Sequence, residues 1–157
     1  MSPRAAWRLE RLGFTDVYDY VAGKADWFAA GLPREGDNAS TPRIADLADP
    51  DVPVCSPDDT VGAAAAAAGA GDWGLCVVVT DGRVVLGLLR GDDLGGDPGR
   101  RAEEAMREGP STFRPDVPVE EMAGYLREHP KLGQVLVTTP DGRLLGAVRP
   151  ADVARRG

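Results

Sequence analysis

Apolar positions from residue 53 onward fall into two kinds of run, and each kind occurs twice. Short continuous runs, "GLCVVV" at 74–79 and "VVLGLL" at 84–89, return as "QVLVTT" at 134–139 and "RLLGAV" at 143–148. Apolar stretches this short, bounded by Gly, Pro and Asp, predict buried strands. Asp81-Gly82 and Asp141-Gly142 separate the members of each pair and predict hairpins, because the two residues suit a tight reversal. Ahead of each hairpin lies a helical stretch, "TVGAAAAAAGAG" at 60–71 and "PVEEMAGYLREH" at 118–129, the second with Val119, Met122, Ala123 and Leu126 on one face. Short strands are expected at Val54-Cys55 and Thr112-Phe113, each leading into a Pro-Asp turn. The carboxylates of "GDDL" and "ADVA" sit where a closing helix is expected to begin.

The correspondence holds at offsets of 58 to 60 residues along the whole stretch: "CSPDDTV" with "FRPDVPV", Gly87 with Gly146, Asp93 with Asp152. A unit of about 45–50 residues buries too little apolar surface to stand alone, so the two are expected to wall each other. The reading is an α/β (α+β) chain of two β-α-β-β-α units in a pseudo-twofold pair, unit 1 at 53–98 and unit 2 at 99–157.

Before the repeat, "SPRAAWRLERLGF" predicts an amphipathic helix with Ser2 as cap, Pro3 in the first turn and Gly13 at its end. "TDVYDY" alternates like a brief strand, and "KADWFAAGLP" reads as another short helix, giving an α-β-α extension over 1–36. Residues 37–52, rich in Asp, Pro and small polar side chains, read as a linker.

Charge narrows the function classes. A net charge of −7 and a pI near 4.7 oppose a nucleic-acid surface, which needs clustered Lys and Arg. No apolar run approaches the roughly 20 residues of a membrane helix and no secretory signal opens the chain, so a cytoplasmic protein is expected. Cys55 and Cys76 lie in apolar stretches and read as free, buried thiols. With His129 the single histidine, material for a transition-metal site is lacking. His129 itself, ahead of Pro130, reads as a helix end. No nucleophile–base pair appears, so an enzyme is not expected.

In order, the strand, "SPDDTV", helix, apolar strand, "DGR", apolar strand and "G-x-x-x-x-x-D" resemble a tandem pair of CBS domains, a Bateman module. The resemblance implies a non-catalytic regulatory protein, often a homodimer, that binds an adenosine-containing ligand (AMP, ADP or ATP, otherwise S-adenosylmethionine or NAD) between its units and needs no cofactor. It implies that Asp93 and Asp152 take ribose hydroxyls beside Gly87 and Gly146, with the strand starts at Cys76 and Val135 lining the base. Where the family places Ser or Thr, this sequence has Arg90 and Arg149. Either arginine can hold phosphate, or pair with the neighbouring Asp and fill an empty cleft. Asp93 and Asp152 can likewise act as helix caps alone. The rival reading is a ligand-free scaffold whose aromatic N-terminal segment docks on a protein partner.

That segment, "SPRAAWRLERLGFTDVYDYVAGKADWFAAGLP", is similar to the C-terminal end of a rhodanese domain. The loop that carries the catalytic cysteine in that family is not part of this match, and neither Cys55 nor Cys76 occupies its position, so no sulfurtransferase activity is implied.

Overall fold

The computed structural model describes residues 2–18, 20–71 and 73–156; the side chains of Ser2 and Pro3, expected to cap and open the first helix, lie outside the described residues. Helix α1 spans Ser2–Arg11 and α2 spans Gly23–Ala29. The strand expected between them does not form: Val17, Tyr18 and Tyr20 carry no ladder hydrogen bonds. A strand needs a neighbour to satisfy its backbone, and the described residues of this segment meet none; Asp19, part of the expected strand, lies outside the described residues. The extension is therefore helix–loop–helix. Its second half is tied down locally, with Trp27 Nε1–H donating to the Pro33 carbonyl at 2.8 Å and the Tyr20 ring packed edge-on to Trp27.

Unit 1 contains β1 (Val54–Cys55), α3 (Val61–Ala70), β2 (Leu75–Val79) and β3 (Val85–Arg90). The Thr60 hydroxyl accepts from the Ala63 N–H at 3.2 Å and caps α3. The alanines of α3 let it lie close on the sheet, burying Ala64 and Ala68 against Cys55, Cys76, Val78 and Leu89. After β3 the expected closing helix is a single 3-10 turn, Gly91–Asp93, because Gly95, Gly96 and Pro98 follow it.

Unit 2 opens with α4 (Ala102–Ala105) and β4 (Arg107–Glu108) and then repeats the plan with β5 (Thr112–Phe113), α5 (Val119–Glu128), β6 (Val135–Thr138), β7 (Leu144–Val148) and α6 (Pro150–Arg156). His129 caps α5, its N–H bonded to the Tyr125 carbonyl at 3.0 Å.

The strand orders are β1-β2-β3-β4 and β5-β6-β7, with the first pair of each sheet parallel and the next antiparallel. Between the sheets Trp73, Leu75, Val77 and Val79 meet Leu136, Leu144 and Ala147, so each unit does wall the other. The hairpin ends also join: Val85 N–H donates to Gly142 O at 3.1 Å and Leu144 N–H to Arg83 O at 2.8 Å.

Each unit borrows the segment that leads into the other. Ala102, in the opening stretch of unit 2, is buried in the core of unit 1, and β4 pairs with β3. Reciprocally, Ile44 is fully buried among Val119, Met122, Val135 and Val148, and Asp49 exchanges two backbone hydrogen bonds with Ala147, at 2.9 and 3.1 Å. Residues 44–52 are thus not loosely packed as the polar composition suggests; Ile44 and Val52 anchor them.

Candidate functional site

The exchange of segments builds a cleft of about 160 Å³ between the units, where β3 and β4 of one side face the start of β6 on the other. Its floor is apolar, Leu75, Leu88, Leu132 and Leu136, and its polar lining is Arg90, Arg107, Glu108, Ser111 and Gln134. Arg90 is delivered by the last position of β3. Arg107 comes from β4, and its guanidinium forms a two-point fork on Asp93, Nε to Oδ2 at 2.8 Å and Nη2 to Oδ1 at 3.3 Å. Asp93 also accepts from the Arg90 backbone N–H at 3.3 Å, so it does cap the 3-10 turn. An apolar floor with two guanidiniums at the edge can take a flat hydrophobic group that carries a charged oxyanion.

The equivalent cleft at unit 2 is closed. Trp73 stands 59 residues before Leu132, the offset that relates Gly87 to Gly146, and where Leu132 leaves space Trp73 fills it. The indole is 5% exposed and packs with Val52 and Ala147. Arg149 lies 3.9 Å over its ring, a cation–π contact that occupies the guanidinium face. Gln134 Nε2–H donates to the Trp73 carbonyl at 3.4 Å, so one side chain lines the open cleft and steadies the filled one. Of the two readings the sequence left open for the arginines, cleft-filling describes Arg149, with Trp73 rather than Asp152 as its partner.

Asp152 pairs instead with Arg155 on the next turn of α6, at an open polar depression with Asp46, Leu47 and Arg156. It therefore does not meet Arg149 at a common site. Gly87 and Gly146 do not line the cleft either. A Cβ on Gly146 would stand 2.5 Å from the Asp49 carbonyl oxygen, and one on Gly87 2.4 Å from Met106 Sδ; both glycines admit the borrowed segments.

Cys76 and Val135 are fully buried and turn away from the cleft, into the cores under α3 and α5. Side chains alternate along a strand, so the lining falls to their neighbours Leu75, Gln134 and Leu136. The Cys76 thiol is pushed well above its ordinary range by its hydrogen bond with Cys55 and by burial, which keeps it protonated and inert.

Two residues central to this geometry escape a motif reading. Arg107 lies in the connection between repeats, fourteen positions from its Asp93 partner, where no pattern flags it. Trp73 was within reach: setting the two units against each other pairs it with Leu132. Among the described residues no group of three His, Cys, Asp or Glu side chains is arranged to hold a metal ion, and no helix is long and apolar enough to cross a membrane.

Comparison with known proteins agrees with this architecture. The family model described as CBS domain matches residues 44–94 and 102–157. The match takes in residues 44–52, ahead of the expected start of unit 1, and leaves 1–43 outside it; the rhodanese-like reading of 1–36 finds no support there. No curated protein matches the chain.

Among solved structures it is similar to the CBS domains of a transcriptional regulator from Streptococcus pneumoniae (TM-score 0.66, 18% identity, 73% of this chain and 98% of that one). It is similar also to CBSX2 in complex with AMP (TM-score 0.64, 21% identity, 73% and 94%). A third is the cytosolic domain of the Mg2+ channel MgtE in complex with ATP (TM-score 0.63, 24% identity, 71% and 47%), of which this chain spans about half the length. With its model matched twice, across the two halves of one pseudo-twofold fold, the chain belongs to the CBS domain family.

Proposed function

We propose that this protein is a non-catalytic regulatory module that binds an adenine nucleotide in the cleft of unit 1, and there alone. The observation that carries the reading is the pairing of Arg90 and Arg107 at the edge of a four-leucine floor, while the corresponding cleft is filled by Trp73. The adenine lies on the leucines, within reach of the Gln134 amide, and the phosphates meet the two guanidiniums. A cleft of about 160 Å³ is smaller than the roughly 300 Å³ at which enclosing sites for whole ligands begin, so it takes the base while ribose and phosphates occupy its mouth. The AMP and ATP complexes of CBSX2 and MgtE support the choice of ligand class. Binding bridges unit 1 to β4 and β6, and so favours one arrangement of the units over another.

Substituting Arg90→Ala is expected to weaken ATP binding at least roughly tenfold, since a charge-assisted hydrogen bond is lost. Arg149→Ala, by contrast, leaves ATP affinity within about threefold of wild type. Isothermal titration calorimetry with ATP, ADP and AMP reads both; equal losses in the two variants would refute the one-cleft assignment.

Homodimerisation is part of the same proposal. It is supported by an apolar groove between α5 and α6 lined by Ala123, Leu126, Val153 and Ala154, and sedimentation of the purified chain tests it. A cytoplasmic setting is supported by the two free, buried cysteines.

A second function, docking on a protein partner, is favoured by one observation: Trp7, Leu12, Phe14, Tyr18 and Val21 of the N-terminal segment are 56–92% exposed, an unusual concentration of apolar surface.

A further inference from the structure

Resting on the nucleotide reading above, we propose that Asp93 is a positioning residue that holds Arg107 at the edge of the cleft, and that the cleft selects its ligand by phosphate and not by the ribose diol. Asp93 is absent from the cleft lining, whereas Arg107 belongs to it. Both carboxylate oxygens are already engaged: Oδ1 and Oδ2 take the Arg107 fork, and Oδ2 also accepts the Arg90 N–H. The Asp93 side chain is 16% exposed against 57% for Arg107, so the guanidinium stands on the solvent side of the carboxylate it pairs with.

A vicinal diol could reach that carboxylate only by breaking a two-point, charge-assisted contact, and would offer two neutral hydroxyls in exchange. A phosphate needs no such exchange. The fork uses Nε and Nη2, so Nη1 is not engaged by Asp93, and it stands with the Arg90 guanidinium as a second donor for an oxyanion. The cleft lining holds these two cations and one carboxylate, Glu108, while the second carboxylate, Asp93, stands outside the lining on the Nε and Nη2 side of Arg107. Arg107 is thus fixed from behind by Asp93 and presented forward, the arrangement by which a partly buried carboxylate orders a flexible side chain for recognition.

The test compares ATP, 2′,3′-dideoxy-ATP and adenosine by calorimetry on wild type, Asp93→Asn, Arg107→Ala and the double variant. Wild type is expected to bind dideoxy-ATP within about threefold of ATP, and adenosine more than roughly tenfold more weakly. Asp93→Asn should weaken ATP and dideoxy-ATP alike, by roughly tenfold, and should have no further effect once Arg107 is alanine. The inference is overturned if removing the diol costs wild type as much as Asp93→Asn does, with no further loss when variant and dideoxy ligand are combined. Should Asp93→Asn fail to fold, Arg107→Ala decides: it must weaken ATP and leave adenosine unchanged, and equal loss of both contradicts the proposal. Wild type that binds no ATP sinks the nucleotide reading itself, a result distinct from binding that depends on the diol.

Discussion

Trp73→Ala is expected to lower the stability of this protein by about 3–5 kcal/mol, the cost typical of truncating a buried aromatic side chain. The indole is 5% exposed, shares its cluster with Val52, Leu75 and Ala147 from both units, and supports the Arg149 guanidinium at 3.9 Å. Removing it opens a cavity where the units meet and strands a half-buried cation over the gap. For a chain of this size each kcal/mol moves the melting midpoint by roughly 2–4 °C, so a fall of about 6–20 °C should appear in differential scanning calorimetry. A change of less than about 1 kcal/mol would mean that the second cleft collapses freely, and that Trp73 is not what keeps it closed.

The second large effect is expected at Gly146. An alanine there meets backbone and not side chain: its Cβ would stand 2.5 Å from Asp49 O and 2.8 Å from Asp49 C. Relief requires the 44–49 segment to lift from β7, which gives up the Asp49–Ala147 hydrogen bonds and loosens Ile44 in the core of unit 2. Overpacking of about 1–3 kcal/mol, together with two weakened hydrogen bonds of about 0.5–1.5 kcal/mol each, gives a loss of about 2–6 kcal/mol.

Gly87→Ala is the internal control. Its Cβ meets the Met106 side chain, with Sδ at 2.4 Å, and a flexible thioether can swing aside. Urea unfolding should rank Gly146→Ala as the more damaging of the two, and hydrogen exchange at the Asp49 and Ala147 amides should quicken in that variant alone. The reverse order would show that the borrowed segment is not held against β7.

The repeat made most of the core legible. Strands at Val54–Cys55, Leu75–Val79 and Val135–Thr138 and helices at Val61–Ala70 and Val119–Glu128 follow from short apolar runs, Asp-Gly reversals and helical spacing. What stayed hidden depends on partners distant in sequence. "VYDY" has strand-like alternation, but among the described residues no strand stands beside it to complete a ladder. Ile44 and Leu47 stand in a stretch rich in Asp and Pro, and nothing local says that Ile44 enters the core of the far unit. Cys76 and Val135 stand one step along β2 and β6 from the residues that line the cleft, and one step sends a side chain to the opposite face. Of the two arginines in the motif, Arg90 lines the open cleft and Arg149 lies over Trp73; the sequence marks them alike, and the difference lies in Trp73 standing where unit 2 has Leu132.

The stoichiometry of ATP binding to the wild-type chain, read by calorimetry, tests whether a single cleft, formed by unit 1, binds nucleotide. One ATP per chain is expected, with the signal lost in Arg90→Ala. Two ATP per chain, or binding that persists in Arg90→Ala and disappears in Arg149→Ala, would contradict it.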